Sequence, residues 1–288
     1  ALLGIIIDVN GAQWARIRDQ VDFRRIISSL LVFVNAHLAL KESNKVLVVS
    51  CGPHKSKILY PASESTDSAN IEADGQMYRP FQVVNQVIID AMMNSLEESQ
   101  SSSSNSVKFA GALSMALSYA NKLSSHSIGH GGYQSRILAI SVSEDEPSQY
   151  IACMNAMFTA QKLSIPVDVC KLNGNSVFLE QIADATSGTF LRPDHPSGIL
   201  QYLMSVYSPN PSIRNYLALP SQSNVDFRAS CFCHQKVVSI GYVCSVCLSV
   251  YCSVPSTQSC MVCGSKYDPE EIAKLFIKPQ VIPIKKPK

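Results

Sequence analysis

The sequence predicts an α/β protein: a doubly wound sheet with helices on both faces, followed by a small cysteine-rich metal-binding module. Three observations carry that expectation. The chain opens on Leu2-Leu3-Gly4-Ile5-Ile6-Ile7-Asp8-Val9-Asn10-Gly11-Ala12. An apolar run ending in an acid and a glycine turn is the pattern of a strand buried on both faces. Apolar runs of strand length then alternate with segments of helical period as far as residue 208. Finally, seven of the ten cysteines (Cys231, Cys233, Cys244, Cys247, Cys252, Cys260 and Cys263) lie close together near the end of the chain.

Each element has its own signal. Residues 21–40 place Phe23, Ile26, Ile27, Leu30, Leu31, Val34 and Leu38 on one helical face. Residues 45–50 form a buried strand, and Cys51-Gly52-Pro53-His54 turns the chain into Lys57-Ile58-Leu59-Tyr60, an antiparallel hairpin at a sheet edge. Residues 61–79 are polar and read as a loop. A helix follows over 81–98, then a serine-rich insert over 101–106. The helix beginning at Val107 is crowded with small residues that permit close approach to a sheet. After a loop over 124–134, Arg136-Ile137-Leu138-Ala139-Ile140 is a strand. Pro147 suits the first turn of the next helix, which ends near Leu163. The strand Val167-Asp168-Val169-Cys170, a helix over 177–185, a Ser187-Gly188 turn, a short strand over 189–191 and a helix over 197–207 complete the domain. The expected organisation is a domain over 1–208, a proline-containing linker over 209–227, a cysteine module over 228–266 and a tail over 267–288.

Composition bounds the function. A length of 288 residues accommodates one full core plus a satellite. The formal net charge of +2 gives no global basic face for nucleic acid. Local basicity is confined to the tail, where Lys278, Lys285, Lys286 and Lys288 stand among prolines; a solvated tail is expected rather than a DNA contact or import signal. No segment reads as a spanning helix. The opening run lacks a basic n-region and a small-residue cleavage site, so it is a strand rather than a signal peptide. The chain starts at Ala1 without an initiator methionine, and residues are expected to precede it. Cys51, Cys153 and Cys170 sit in apolar segments as core residues. The clustered cysteines favour zinc and a reducing compartment over a disulfide scaffold.

Residues 152–192, ACMNAMFTAQKLSIPVDVCKLNGNSVFLEQIADATSGTFLR, resemble the end of a von Willebrand factor A domain, and the opening IIIDVN is similar to that family's first strand. With CFCH, GYVCSVC, YC and CMVC behind them, the chain resembles the smaller von Willebrand A-containing core subunits of the transcription and repair factor TFIIH. The resemblance covers nearly the whole chain. It implies a von Willebrand A-type (Rossmann-like) sheet and a C-terminal zinc finger. It further implies a nuclear, non-catalytic role in RNA polymerase II transcription initiation and nucleotide excision repair. The implied partners are other TFIIH core subunits, chiefly the larger von Willebrand A-containing one, docked through its zinc-binding C-terminal region. Neither a small-molecule substrate nor a membrane is implied.

The resemblance also places a metal-ion-dependent adhesion site at Asp8. The family pattern there is Asp-x-Ser-x-Ser, with a threonine from a later loop and an aspartate after the fourth strand. Here Asp8 is kept, Asn10 offers an amide oxygen, and Ala12 offers nothing. The later loop, Lys108-Phe109-Ala110-Gly111-Ala112, has no threonine, and Ser141-Val142-Ser143 stands where Thr-Asp-Gly is usual; Glu144 and Asp145 lie just beyond. One carboxylate holds Mg²⁺ poorly against water, so no metal is expected at Asp8, whose carboxylate should satisfy backbone amides instead.

The confident metal signal is Cys244-x2-Cys247 followed after twelve residues by Cys260-x2-Cys263. Each turn points two thiolates at one ion, and two turns complete a tetrahedron. A structural Zn²⁺ is therefore expected on these four residues. Cys231, Cys233, His234 and Cys252 remain. In a cross-braced RING-like pattern the third ligand pair would begin at Cys252, but its second member would be Pro255. Cys231-x-Cys233 also has the wrong spacing for a normal knuckle. The expectation is one zinc beside a decayed half-site. A RING-type ubiquitin ligase and a nucleic-acid-binding zinc protein are the alternatives. The latter is disfavoured because His234 and Lys236 are the only basic side chains between Cys231 and Cys263. The scattered histidines His37, His54, His126, His130 and His195 give no nucleophile constellation. His130-Gly131-Gly132 lacks the context of a phosphate loop, and Trp14 reads as a packing or interface residue.

Overall fold

The computed structural model describes residues 1–61, 78–99, 106–126, 133–214, 216–219, 225, 227–229, 231–234, 237–254 and 259–268. The loops expected near 61–79 and 124–134, the serine-rich insert, the His130-Gly131-Gly132 segment, Pro255 and the tail lie largely or wholly outside them. The chain divides into two compact units, Ala1–Phe227 and Arg228–Lys288.

The first unit is a six-stranded sheet in the order β3-β2-β1-β4-β5-β6. Its strands are β1 (Leu2–Asp8), β2 (Lys45–Cys51), β3 (Ser56–Tyr60), β4 (Ser135–Ser141), β5 (Val167–Lys171) and β6 (Phe190–Leu191). Only β3 runs antiparallel, paired with β2 at the edge as the turn at 51–54 predicts. The opening run is the sheet's middle: β1 pairs in parallel with β2 on one side and β4 on the other. This is the doubly wound order expected of a von Willebrand A-type fold, which gathers the carboxyl ends of the central strands along one edge.

Strand period explains how one apolar run serves two faces. Leu3, Ile5 and Ile7 point into one core, with α1 (Gly11–Arg16), α2 (Phe23–Leu40) and α3 (Arg79–Ser99). Leu2 and Ile6 point into the other, with α4 (Phe109–His126), α5 (Tyr150–Lys162) and α6 (Val177–Ala185). Each fully buried aliphatic side chain contributes about 2–3 kcal/mol of transfer free energy. The small residues of α4 do what their size permits: Ala110, Ala112, Ala116 and Ala120 are all buried against the sheet face.

Several elements differ from the sequence reading. Helix α1 was not foreseen, because six residues carry too little periodicity. It buries Trp14, whose Nε1 donates to the Asp8 carbonyl at 2.8 Å and whose ring meets Phe23 edge-on. Helix α2 is long and apolar enough to span a membrane by length and composition, correcting the expectation that no segment is. Its Ile26, Leu30, Phe33, Val34 and His37 are nevertheless buried within the domain. The helix expected over 197–207 is broken into a 3₁₀ turn (Pro196–Gly198), α7 (Ile199–Tyr202) and a π-helical turn (Leu203–Tyr207). Gly188 has a strict packing reason, since a Cβ there would lie 2.0 Å from the Val167 carbonyl oxygen.

The start of the segment expected as linker is held to this sheet. Arg136 donates to the carbonyls of Tyr207, Ser208 and Pro209 at 2.8–2.9 Å. Helix α8 (Pro211–Arg214) then delivers Arg214 to Asp168 as a buried bidentate pair at 2.6 and 2.5 Å. Breaking such a pair from one side costs about 3–5 kcal/mol, so residues 209–214 are structural.

The second unit has a two-stranded antiparallel ladder, β7 (Tyr242–Val243) and β8 (Val250–Tyr251), paired Tyr242↔Tyr251 and Val243↔Val250. Its core consists of Cys244, Tyr251 and Cys260, with Phe232, Cys233, Cys247 and Tyr267 packed against them. That is far too little apolar surface to fold such a short segment unaided.

Candidate functional site

Among the described residues, two places could hold a metal by residue type, and their geometry is opposite. The first is the carboxyl edge of the sheet. Asp8 is buried at the end of β1. Its Oδ1 accepts from Asn10 N at 3.0 Å, and its Oδ2 accepts from Val142 N at 3.0 Å and Ser143 N at 2.7 Å. Both oxygens are therefore consumed by backbone amides, the local arrangement expected from the sequence. Asp145 turns away to α6, accepting from Ser176 Oγ and from Phe178 N (3.1 Å), so it serves the start of that helix. Glu144 lies near Arg16, 3.8 Å away on the surface.

Close to these acids lies a buried cation that the sequence reading did not single out. Lys171, fully buried at the end of β5, donates to Ser141 Oγ at 3.2 Å and to the Ser143 carbonyl. Burial lowers its pKa, opposed by attraction from Asp145, Asp8 and Glu144. Burial likewise raises Asp145, opposed by its hydrogen bonds to Ser176 and Phe178 and by Lys171. The signal was present in the sequence: a lysine closing the run Val-Asp-Val-Cys-Lys on a buried parallel strand needs acids at its tip. The space left among Ser141, Ser143, Asp145, Gln149 and Phe178 is about 20 Å³, room for roughly one water and far below a small-molecule site.

The second place is the cysteine unit, where the donor atoms face one another. Cys244, Cys247, Cys260 and Cys263 bring their sulfurs within 4.8 Å of one another. Cys244 Sγ lies 3.8 Å from Cys263 Sγ, and Cys247 Sγ lies 3.5 Å from Cys260 Sγ. A tetrahedral Zn²⁺ with bonds of about 2.3 Å sets sulfur–sulfur edges of about 3.8 Å, so the set fits zinc. Both knuckles are built alike. Leu248 N donates to the Cys244 carbonyl and Gly264 N to the Cys260 carbonyl, each at 2.9 Å. Cys244 N and Cys260 N donate in turn to Ser249 O and Ser265 O. The residue four after each leading cysteine has positive φ, 59° at Leu248 and 71° at Gly264.

Two of the four thiols, Cys244 and Cys260, are shifted towards the thiolate, whereas Cys247 is raised. Burial pushes Cys260 up, but amides of Cys263 and Val262 with hydroxyls of Ser249 and Tyr251 hold it down to about 4. Cys244 is lowered to about 7, chiefly by the Cys247 amide and then by the Ser265 hydroxyl. Thiolates are the ligand form. By contrast, burial drives Cys153 and Cys170 up to about 12, the behaviour of inert core thiols.

The residues expected to form a decayed half-site are also gathered. Donor atoms of Cys231, Cys233, His234 and Cys252 lie within 4.8 Å of one another. Spacing rules missed this because the fold, not a Cys-x2-Cys turn, brings Cys252 to the other three. Of the remaining histidines, His54 and His195 are exposed and His37 is buried in α2.

Comparison with known proteins gives one answer along both units. The family described as transcription factor Tfb4 matches residues 1–264. The general transcription and DNA repair factor IIH subunit tfb4 of Schizosaccharomyces pombe is 39% identical over 277 residues, covering 95% of this chain and 91% of that protein. The Yarrowia lipolytica subunit TFB4 is 41% identical over 313 residues, covering 97% and 90%. The crystal structure of the TFIIH p34 N-terminal domain aligns with a TM-score of 0.61 and 34% identity, covering 70% of this chain and 95% of that one. The chain belongs to the transcription factor Tfb4 family, whose relatives bear the name of subunits of general transcription and DNA repair factor IIH.

Proposed function

We propose that this protein is a non-catalytic, architectural subunit of the nuclear TFIIH core, supporting RNA polymerase II initiation and nucleotide excision repair. The observation that carries the reading is the family match, which spans both units rather than the sheet domain alone. The chemistry agrees with it. At the carboxyl end of β1 and β4, Asp8 and Lys171 are engaged by backbone and side-chain partners, and the space left among Ser141, Ser143 and Asp145 is about 20 Å³. Structural Zn²⁺ is held by Cys244, Cys247, Cys260 and Cys263, where it fixes two knuckles and supplies folding free energy rather than catalysis.

Docking is the function left for the surface. Ile240, Val243, Val246, Leu248, Met261 and Val262 are large apolar side chains exposed on the cysteine unit. So many on so short a segment mark an interaction surface. The partner is the larger von Willebrand A-containing TFIIH subunit, docked through its own zinc-binding C-terminal region, with contacts to the sheet domain and the cysteine unit. Co-expression should yield a stable binary complex at micromolar concentration; two independent monomers would defeat the reading. A second reading, a ubiquitin ligase, draws on the RING-like order in which the two ligand groups interleave along the chain. Chain-dependent ubiquitin transfer from a panel of conjugating enzymes would favour it, and none is expected.

A further inference from the structure

We propose that the cysteine unit takes a second zinc ion, on Cys231, Cys233, His234 and Cys252. Cys252 Sγ stands at the centre of the group, 3.4 Å from Cys233 Sγ and 3.0 Å from His234 Nδ1. A tetrahedral ion with Zn–S of about 2.3 Å and Zn–N of about 2.0–2.1 Å requires edges of about 3.6–3.8 Å. The observed separations need to open by about 0.4 Å between the sulfurs and about 0.6 Å between sulfur and nitrogen to admit it. Three thiolates and an imidazole form a borderline-soft donor set, which selects zinc over magnesium or calcium.

The odd spacing is resolved by the backbone. A turn over residues 232–234 brings Cys231, Cys233 and His234 to one side. Phe232 N donates to the Val250 carbonyl at 2.8 Å and its ring lies 6.4 Å from that of Tyr251, fixing the turn beside β8. Cys252 is the next residue after β8. The site is thus three donors plus one, where two Cys-x2-Cys turns would give two plus two. The member that Pro255 cannot supply is replaced by His234 on the upstream side.

The ladder distributes ligands between the two sites. Cys244 directly follows β7 and Cys252 directly follows β8. With Tyr242 opposite Tyr251, these cysteines leave an antiparallel ribbon at opposite ends. Ligands therefore alternate along the chain: Cys231, Cys233 and His234 to one ion, Cys244 and Cys247 to the other, Cys252 back to the first, Cys260 and Cys263 to the second. Each ion closes a loop that contains ligands of the other, so the unit is cross-braced and neither ion is an appendage. Three thiolates leave the first zinc centre at net −1, and four leave the second at −2. Both charges oppose phosphate binding.

The proposal rests on the four-cysteine reading only for the neighbouring ion, and metal counting separates the two. Native mass spectrometry and elemental analysis of the full chain, purified under reducing conditions, should find two zincs per chain. Cys252→Ser should retain one, and Co²⁺ substituted into that variant should give the absorption of an all-thiolate site. His234→Cys should keep two ions and convert the mixed Co²⁺ spectrum of the parent to an all-thiolate one. One zinc per chain, lost in Cys260→Ser but unchanged in Cys252→Ser, would overturn the second site and leave the first standing. A Cys233–Cys252 disulfide in the reduced preparation would also overturn it. A folded chain with no zinc would sink both.

Discussion

The carboxyl edge of the sheet and the cysteine unit both gather ligand-type side chains, but only one leaves their lone pairs pointing at one another. At the sheet edge the oxygens of Asp8 face Asn10 N, Val142 N and Ser143 N, and the nearby buried cation is Lys171, bound to the Ser143 carbonyl. In the cysteine unit the sulfurs and the His234 imidazole converge in two groups whose donor atoms face one another. The difference teaches that residue identity alone does not make a metal site. A carboxylate at a strand tip is a ligand only while nothing in the chain satisfies it first.

The largest effect that separates the two regions is metal removal. Structural zinc in small modules carries an apparent binding free energy of about 10–16 kcal/mol. A strong chelator should therefore abolish the fold of residues 228–268 while leaving the sheet domain intact. Hydrogen exchange reads this directly: fast exchange should be confined to the cysteine unit, and protection retained there after verified zinc loss would break the comparison.

The second effect is at Asp8. Asp8→Ala would orphan the Val142 and Ser143 amides and remove one of the acids facing Lys171, costing about 3–5 kcal/mol. Denaturant unfolding followed by the fluorescence of Trp14, the single tryptophan, would report it within the right unit. Added Mg²⁺ or Mn²⁺ should leave the wild-type midpoint unmoved. A saturable rise that disappears in Asp8→Ala would revive the adhesion site.

Much of this was legible from the sequence, for identifiable reasons. The strand Leu2–Asp8, the β2–β3 hairpin and α6 are set by local period and turn chemistry, so they emerge where expected. The missing hydroxyls at Ala12 and in the 108–112 loop were also plain. Lys171 was legible as a buried lysine in need of acids, but which acids was not, because they come from β1 and from the loop after β4. Cys231, Cys233, His234 and Cys252 were seen but read as remnants, since their convergence depends on Phe232 docking on β8, a long-range hydrogen bond that no spacing rule encodes. Arg214 was hidden in a proline-flanked segment of linker composition, and its partner Asp168 lies 46 residues away.

A third, smaller effect belongs to the sheet domain alone. Burial, then the charge of Arg136, lowers His37 from its usual 6.5 to about 4. The unfolded chain then takes up this proton before the folded one as pH falls. The stability contribution is therefore complete above about pH 6.5 and is lost progressively between about 6.5 and 4. Its size is about 2 kcal/mol after allowance for screening. His37→Leu should flatten that part of the Trp14-detected stability profile; an unchanged slope would show that other groups set it.

The smallest effect compares the two knuckles with each other. Leu248 and Gly264 occupy equivalent left-handed positions, yet only glycine adopts that backbone without steric cost. Leu248 accepts a penalty of about 1 kcal/mol and spends the side chain on solvent, being 71% exposed. Its apolar neighbours Val246, Met261 and Val262 are exposed as well. A strained residue with an outward apolar side chain is what a docking contact requires and what folding alone would replace. Leu248→Gly should therefore stabilise the isolated zinc-loaded chain by about 1 kcal/mol while weakening the complex proposed above with the larger von Willebrand A-containing subunit. Thermal unfolding of the free chain and titration of the pair read the two halves separately. A variant that is more stable and binds as well as the parent would remove this knuckle from the interface.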